Sequence, residues 1–553
     1  MVDFSIFLGG QAGEGIKRGA LTLGKLFNRF GYYVFVYNDY GSIIRGGQDY
    51  SEIRVSEKEL HSQSGNFDYM FSFHPDVYER YKDRASLNAL TFIEGGGGFD
   101  INFSEIARLK EASPFMKSSI VLGIISYIKG IPFEEVENLL RDDLKEKAYK
   151  NILLAEQGYE IASELDKKSV IKAPIPIGGK SPLPILSGNE SIALGAVRSG
   201  MKLYAAYPIT PSSTLLDMLA EQARNFEIAV VHAEDEISAI SMAIGSAYAG
   251  VPSMVGTSGP GIDLFGESIS LAGGTEIPIV ILDAQRAGPT TGVPTYTEQS
   301  DLNLVLNVGH GEFPRIVLAP GDIDEAFEIT AKAFQYAFWY QVPVIILSDK
   351  HISESFKTSK IPFGNHYITP VKTYDGEGGY KRYEITDDGI PPLAFPGTEG
   401  IVNHTNSTEH TDSGYSSSLP QDVKAMKEHR LKKMETIKSD FELEETMHVF
   451  GDTESKNVII GFGGTTGAIL EAIEGLPVKF VQIVSLEPFP IQKLRKEIQG
   501  AQRIISIEQN SFGQLASLFE AKLLMPVSHK ILKYDARPFN PVELANKIKE
   551  VIR

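Results

Sequence analysis

Tyr207-Pro208-Ile209-Thr210-Pro211-Ser212-Ser213 follows a short apolar run, Leu203–Ala206, and opens an amphipathic segment. That order predicts a buried strand, a tight turn and a helix. Thr210 suits an N-cap, and Pro211 would then sit at the first helical position. The free N–H groups and positive dipole end of such a helix would hold a small carboxylate. An ordinary capped strand-to-helix turn reads the same way from local physics alone.

Working outward, residues 187 to 356 keep an α/β rhythm, with strands expected at Leu203–Ala206, Ala229–His232, Ser253–Gly256, Ile277–Asp283 and Val342–Leu347 and helices between them. Alternation of this kind argues for parallel sheets with helices on their faces. Residues 1–172 read as a separate α/β unit opening with strand Phe4–Leu8, and 173–186 as a Pro/Gly-rich linker. Residues 357–450 are polar and rich in Gly, Pro, Thr, Ser and Asn. They read as an extended connector ending in a charged helix, Leu419 to Phe441. Residues 451–553 form a last α/β unit. A chain of 553 residues has room for three or four domains.

Composition narrows the function. The 53 basic and 71 acidic residues leave a net charge of -18, which repels a phosphate backbone and argues against nucleic acid. There is no cysteine, so the chain has no thiolate nucleophile and no cysteine ligand for zinc or iron–sulfur. No HExxH pair appears, and no metal site is expected in this chain. The N-terminus reads as a first strand and not as a signal peptide. The longest apolar run, Ile120 to Ile128, is too short to span a bilayer and contains Gly123. A cytoplasmic protein that meets no membrane is expected.

Two further stretches carry chemistry. Glu234-Asp235-Glu236 opens a helix whose small residues, Ala239, Ala243, Gly245 and Ala247, recur at helical spacing and would let another backbone come close. Glu234 and Asp235 read as acids complementing the helix dipole. Glu236 begins the small-residue face, where a carboxylate is partly desolvated. Gly256-Thr257-Ser258-Gly259-Pro260-Gly261 then follows a strand as a glycine-rich turn.

At this spacing the Glu236 helix and the Thr257–Gly261 turn together resemble the pyrimidine-binding domain of thiamine diphosphate enzymes. The Tyr207–Pro211 signature narrows the resemblance to the alpha subunit of 2-oxoacid:ferredoxin oxidoreductases. Residues 1–172 resemble that family's gamma domain, fused ahead of alpha. Residues 451–553, through Gly461–Gly467 and Glu508–Gln514, resemble its transketolase C-terminal-like domain, a structural part. Tyr380–Tyr383 and Glu409-His410 fit family patterns around the connector, where packing between subunits is expected.

The resemblance implies a CoA-dependent oxidative decarboxylation of a 2-oxoacid, pyruvate or 2-oxoglutarate, with electrons passed to ferredoxin. Glu236 aligns with the glutamate that bonds the aminopyrimidine of the cofactor and is the catalytic candidate. Tyr207, Pro208, Ile209, Ser258 and Gly259 match the cofactor-binding segments. Thr210 matches a substrate contact. Arg286 matches the arginine that grips the oxoacid carboxylate, a role suited to a bidentate guanidinium; a surface ion pair is its other reading. Arg45, in Tyr40–Gly47, occupies the place of a basic residue that reaches the active site. It would select a distal carboxylate, or it is a solvated loop arginine.

Gly10, Gly13 and Gly15 lie in a G-x-x-G-x-G run that either cradles a pyrophosphate, such as that of coenzyme A, or is a tight turn. No Gly-Asp-Gly occurs anywhere, so the diphosphate half of a thiamine site is missing. A beta subunit carrying that half, magnesium and the iron–sulfur cluster is therefore implied. The competing readings are a non-catalytic scaffold or nucleotide-binding subunit of the same fold, and an aryl-pyruvate oxidoreductase subunit.

Overall fold

The computed structural model describes residues 2–42, 47–178, 181–361, 371–376 and 379–553. Two compact units emerge. One comprises residues 1–187, 354–360 and 540–544; the other comprises 188–353, 361–539 and 545–553.

The first unit holds an eight-stranded sheet. Phe67–Ser72, Ala85–Ile93 and Phe99–Asp100 extend from the opening strand Asp3–Gln11 in parallel. On its other edge the sheet turns antiparallel through Gln48–Ser56, Tyr33–Asp39, Phe356–Thr358 and Ile185–Ser187. The parallel sheet expected for this unit thus continues into an antiparallel half. The strand that reverses the sheet, Gln48–Ser56, is largely polar, carrying Gln48, Asp49, Ser51, Glu52, Arg54 and Ser56, and alternates only over its last residues, around the buried Ile53 and Val55. Its polarity is absorbed inside: Glu52 is fully buried, accepts N–H bonds from Ser64 and Gly65, and faces Arg84 at 3.5 Å. The apolar run near Ile120 is a buried helix, Ser118–Ile128. Gly123 presses on the Ala155 carbonyl and Gly158 on the Ile120 carbonyl, so a side chain at either position would part the helices Ser118–Ile128 and Ala148–Asp166. Among the described residues, no helix is long and apolar enough to cross a membrane.

The second unit contains two sheets. The seven-stranded one runs Ser485–Glu487, Ile316–Leu318, Pro343–Asp349, Ile279–Gln285, Ser253–Thr257, Leu203–Ala206 and Ala229–His232, parallel except at Ser485–Glu487. The five-stranded one runs Met447–Gly451, Lys479–Ile483, Asn457–Gly461, Arg503–Glu508 and His529–Leu532, antiparallel only at its first strand. Near-continuous apolar strands such as Ile279–Leu282, fully buried, are what a sheet covered on both faces requires.

The connector segment packs against other parts of its own chain. Tyr383 and His410 are buried, Glu409 pairs with Arg430 at 2.6 Å, and Arg382 donates to the Glu276 carbonyl at 2.6 Å and to Gln341 Oε1 at 2.9 Å. The Glu276 carboxylate meets Lys433 and, at 3.3 Å, His429, both from the helix Pro420–Phe441. Burial alone would raise the Glu276 pKa, but Lys433, His429 and Arg382 hold it well below the usual carboxylate range.

Breaking a buried pair on one side costs about 3–5 kcal/mol. Lys433→Met should therefore destabilise the chain by about that amount near pH 7, read by denaturant unfolding. Because the folded pKa is depressed, the ionic stabilisation is complete above the unfolded value and fades as pH falls through the folded one. The difference between wild type and variant should shrink in acid; an equal difference at all pH values would exclude an ionic role.

Candidate active site

Four adjacent parallel strands deliver the candidate residues to one edge. Ala229–His232 leads to Glu236, Leu203–Ala206 to Thr210, Ser253–Thr257 to Ser258 and Gly259, and Ile279–Gln285 to Arg286. In open α/β sheets, the carboxyl ends of the strands are where ligand crevices form.

The helix Glu236–Tyr248 is capped by Asp235, whose side chain accepts the Ser238 N–H at 2.7 Å while Ser238 Oγ returns to the Asp235 N–H at 3.1 Å. This reciprocal cap leaves Asp235 exposed and Glu236 buried, 9% accessible, with Glu234 outside. Glu236 lies against Gly261: a Cβ there would stand 2.9 Å from Glu236 Cγ and would also strike Thr257 Oγ1. The hydroxyls of Thr257 and Ser258 are buried and, among the described residues, have no hydrogen-bond partner. Buried polar groups are ordinarily paired, so these two are open to a ligand.

The turn before the next helix differs from the expected cap. The helix spans Ser213–Phe226, its N-cap is Ser212, and the Thr210–Pro211 peptide is cis, so Thr210 does not cap it and Pro211 is not its first residue. Asn189 ties this turn to the helix start: its side-chain amide donates to the Pro211 carbonyl at 2.9 Å and to Thr214 Oγ1 at 2.7 Å. Ser212 Oγ donates back to the Ile209 carbonyl at 2.9 Å. Tyr207 is exposed, while Pro208, Ile209 and Thr210 are half-buried.

Arg286 and Thr210 are brought together across the sheet edge. Arg286 Nη1 donates to the Thr210 carbonyl at 2.9 Å, its Nε is buried without a partner, and burial lowers its pKa while Asp301 counteracts that. This buried guanidinium is not the surface ion pair of the alternative reading. Arg286, Gly259, Pro260, Asp263, Thr290 and Asp301 line part of a cleft of about 400 Å³.

Sequence reasoning missed two acids here. Asp283 is fully buried with neither carboxylate oxygen bonded, and Asp301 sits against Gly259, 2.5 Å from where a Cβ would be. Burial raises the Asp283 pKa well above the carboxylate range, and Asp301 and Asp263 add to it. An acid inside the apolar strand Ile279–Gln285 is a readable signal for Asp283; nothing local marks Asp301.

In the first unit, Gly15 precedes the helix Ile16–Asn28 at φ 77°, in contact with the Phe115 carbonyl, and Gly13 has φ 95°. Glu14 folds back over Gly10, accepts the Gln11 N–H at 2.7 Å, meets His74 at 3.0 Å and pairs with Lys117. An internal carboxylate thus occupies the Gln11 amide of this loop. Arg45 lies outside the described residues.

Comparison with known proteins decides the family. Residues 194–429 match the model described as pyruvate flavodoxin/ferredoxin oxidoreductase, thiamine diphosphate binding, and residues 5–161 match pyruvate ferredoxin/flavodoxin oxidoreductase. The chain is 32% identical to the 2-oxoacid:ferredoxin oxidoreductase subunit alpha of Saccharolobus solfataricus, covering 99% of this chain and 98% of that one. This chain belongs to the 2-oxoacid:ferredoxin oxidoreductase alpha subunits. It is also 32% identical to the 2-oxoglutarate oxidoreductase subunit KorA of Mycobacterium tuberculosis, over 76% of this chain and 66% of that one. A solved 2-oxoglutarate:ferredoxin oxidoreductase from Magnetococcus marinus, with 2-oxoglutarate, coenzyme A and succinyl-CoA bound, superposes with TM-score 0.90 at 31% identity and covers the whole of both chains. Within this alpha-subunit family, the orphaned Thr257 and Ser258 hydroxyls beside Glu236 fit the pyrimidine half of thiamine diphosphate.

Proposed function

We propose that this chain, with a beta subunit, carries out CoA-dependent oxidative decarboxylation of 2-oxoacids, 2-oxoglutarate foremost, to acyl-CoA and CO2 with ferredoxin as acceptor. The observation that carries this reading is a buried carboxylate, Glu236, on the same sheet edge as a buried, half-unpartnered guanidinium, Arg286.

Thiamine diphosphate, when bound, supplies a nucleophilic carbon and an electron sink for the carbon–carbon bond that breaks. Glu236 would share a proton with the ring nitrogen of its pyrimidine, and Thr257 and Ser258 would bond the polar edge. Arg286 would hold the 1-carboxylate of the oxoacid, oriented by its bond to the Thr210 carbonyl. Arg45 would meet the distal carboxylate of 2-oxoglutarate.

The beta subunit would bring the diphosphate site, magnesium and the iron–sulfur cluster, none of which has a cysteine or Gly-Asp-Gly site here. The exposed face of the Glu236 helix, with Ile237 and Met242 about half accessible and open space over Gly245, suits contact with it. Anaerobic purification from the native source should bring a second chain together with iron, sulfide and thiamine diphosphate. The complex should then reduce a viologen dye with an oxoacid and coenzyme A. Arg45→Ala should raise KM for 2-oxoglutarate more than for pyruvate. Isolation of the chain alone, without iron or thiamine, would overturn the proposal.

A further inference from the structure

The cleft beside Arg286 holds more carboxyl groups than one guanidinium can neutralise. Asp283, three residues before Arg286, is wholly buried, and among the described residues neither of its oxygens is bonded. Asp301 lines the cleft from the segment Thr295–Asp301, its carboxylate packed against Gly259. Asp263, on the short helix Gly259–Leu264, lines the same cleft from the exposed side, and Glu298 acts on Asp301 from its own segment.

Asp301 is held in place. Its N–H donates to Gln285 Oε1 at 3.0 Å, and the preceding residues are bound from the segment after strand Arg503–Glu508, through Gln514 to the Ser300 carbonyl at 2.7 Å and Asn510 to the Gln299 carbonyl at 3.1 Å. No salt bridge joins Asp301 to Arg286 among the described residues, and the guanidinium Nε, in a side chain only 8% exposed, remains unpartnered in the same cleft.

We propose that Asp301 is a positioning residue that sets the grip of Arg286 on the substrate carboxylate: protonated, it leaves the guanidinium to the 2-oxoacid; ionised, it competes for that guanidinium and repels the incoming anion. Burial first, then the charges of Asp263 and Glu298, push the Asp301 pKa up to about 7, against the pull of Arg286. Burial also raises the Asp283 pKa well above the usual carboxylate range, with Asp301 and Asp263 adding to it. Charges that share a poorly screened cleft act on one another more strongly than they would in bulk water. Substrate binding above neutrality would then draw one proton from solvent onto Asp301, with no other bond made or broken. This inference rests on the proposed function, through the role of Arg286.

The test uses the assembled alpha–beta complex and oxamate, an unreactive analogue of pyruvate, with proton uptake measured by calorimetry in two buffers of different ionisation enthalpy. Wild type should take up close to one proton per oxamate at pH 8.5 and close to none at pH 6. KM for the oxoacid should rise above pH 7, approaching about tenfold per pH unit where only the protonated form binds. Asp301→Asn should abolish the uptake and flatten the KM profile. Should that variant fail to fold, the wild-type proton count still decides. No uptake at pH 8.5, or uptake retained in Asp301→Asn, overturns the inference while leaving the enzymatic reading intact. A complex that oxidises no 2-oxoacid and binds no oxamate at any pH overturns both.

Discussion

Glu236→Ala in the assembled complex is expected to lower kcat by about a thousandfold, within the range of about 10²–10⁴ for removal of a positioned proton-transfer group. The carboxylate is buried at the first position of its helix, braced by the Asp235–Ser238 cap and pressed against Gly261. Its loss leaves the unpartnered Thr257 and Ser258 hydroxyls in place, so the cleft should keep its shape. The decisive measurement pairs single-turnover dye reduction with iron content. Activity should collapse while iron, sulfide and beta-subunit association stay at wild-type levels. Glu234→Ala, an exposed acid two residues earlier, is the control and should keep near-normal turnover. Comparable loss in both variants would remove Glu236 from the chemistry.

The second large effect belongs to Arg286→Ala, expected to raise KM by about 10- to 100-fold. The estimate follows from hydrogen bonds to charged groups, worth about 1.5–3 kcal/mol. The rise should be similar for pyruvate and 2-oxoglutarate, because the shared 1-carboxylate is what the guanidinium holds. Arg286→Lys keeps the charge but not the planar fork and should recover only part of the affinity. The variant also deprives the Thr210 carbonyl of its donor, so some loss of kcat through misorientation is expected. An unchanged KM for both oxoacids would exclude Arg286 as the carboxylate grip.

The site was unevenly legible in the sequence. The preference for Glu236 over Glu234 followed from small residues at helical spacing, and the structure buries the one and exposes the other. Thr210 reads from sequence as a helix cap. The geometry instead turns its carbonyl to Arg286, with Asn189, 21 residues earlier in sequence, tying the turn to the helix start. The glycines of Gly461–Gly467 read as another strand-to-helix turn. In the fold, Gly464 N–H donates to the buried Asp349 at 2.8 Å, and a side chain at Gly464 would meet that carboxylate at 2.5 Å. Glu508 likewise reads as one acid of a motif. Its buried carboxylate receives the N–H groups of Leu515 and Ala516, at 2.7 and 2.9 Å, and so anchors the helix Gln514–Leu523.

Local order alone determined the alternation of strands and helices, the carboxyl-edge position of the candidate residues and the absence of cysteine ligands. These depend on apolar period, turn chemistry and composition, which act over a few residues. The tertiary structure decided what depends on distant partners. It reversed part of the first sheet through a polar strand whose Glu52 is satisfied by Ser64, Gly65 and Arg84. It folded the connector onto Glu276, and it set Asp301 beside Arg286 by way of Gln285, Asn510 and Gln514. A buried charge takes its meaning from the groups that face it, and in this chain those groups lie tens to hundreds of residues away.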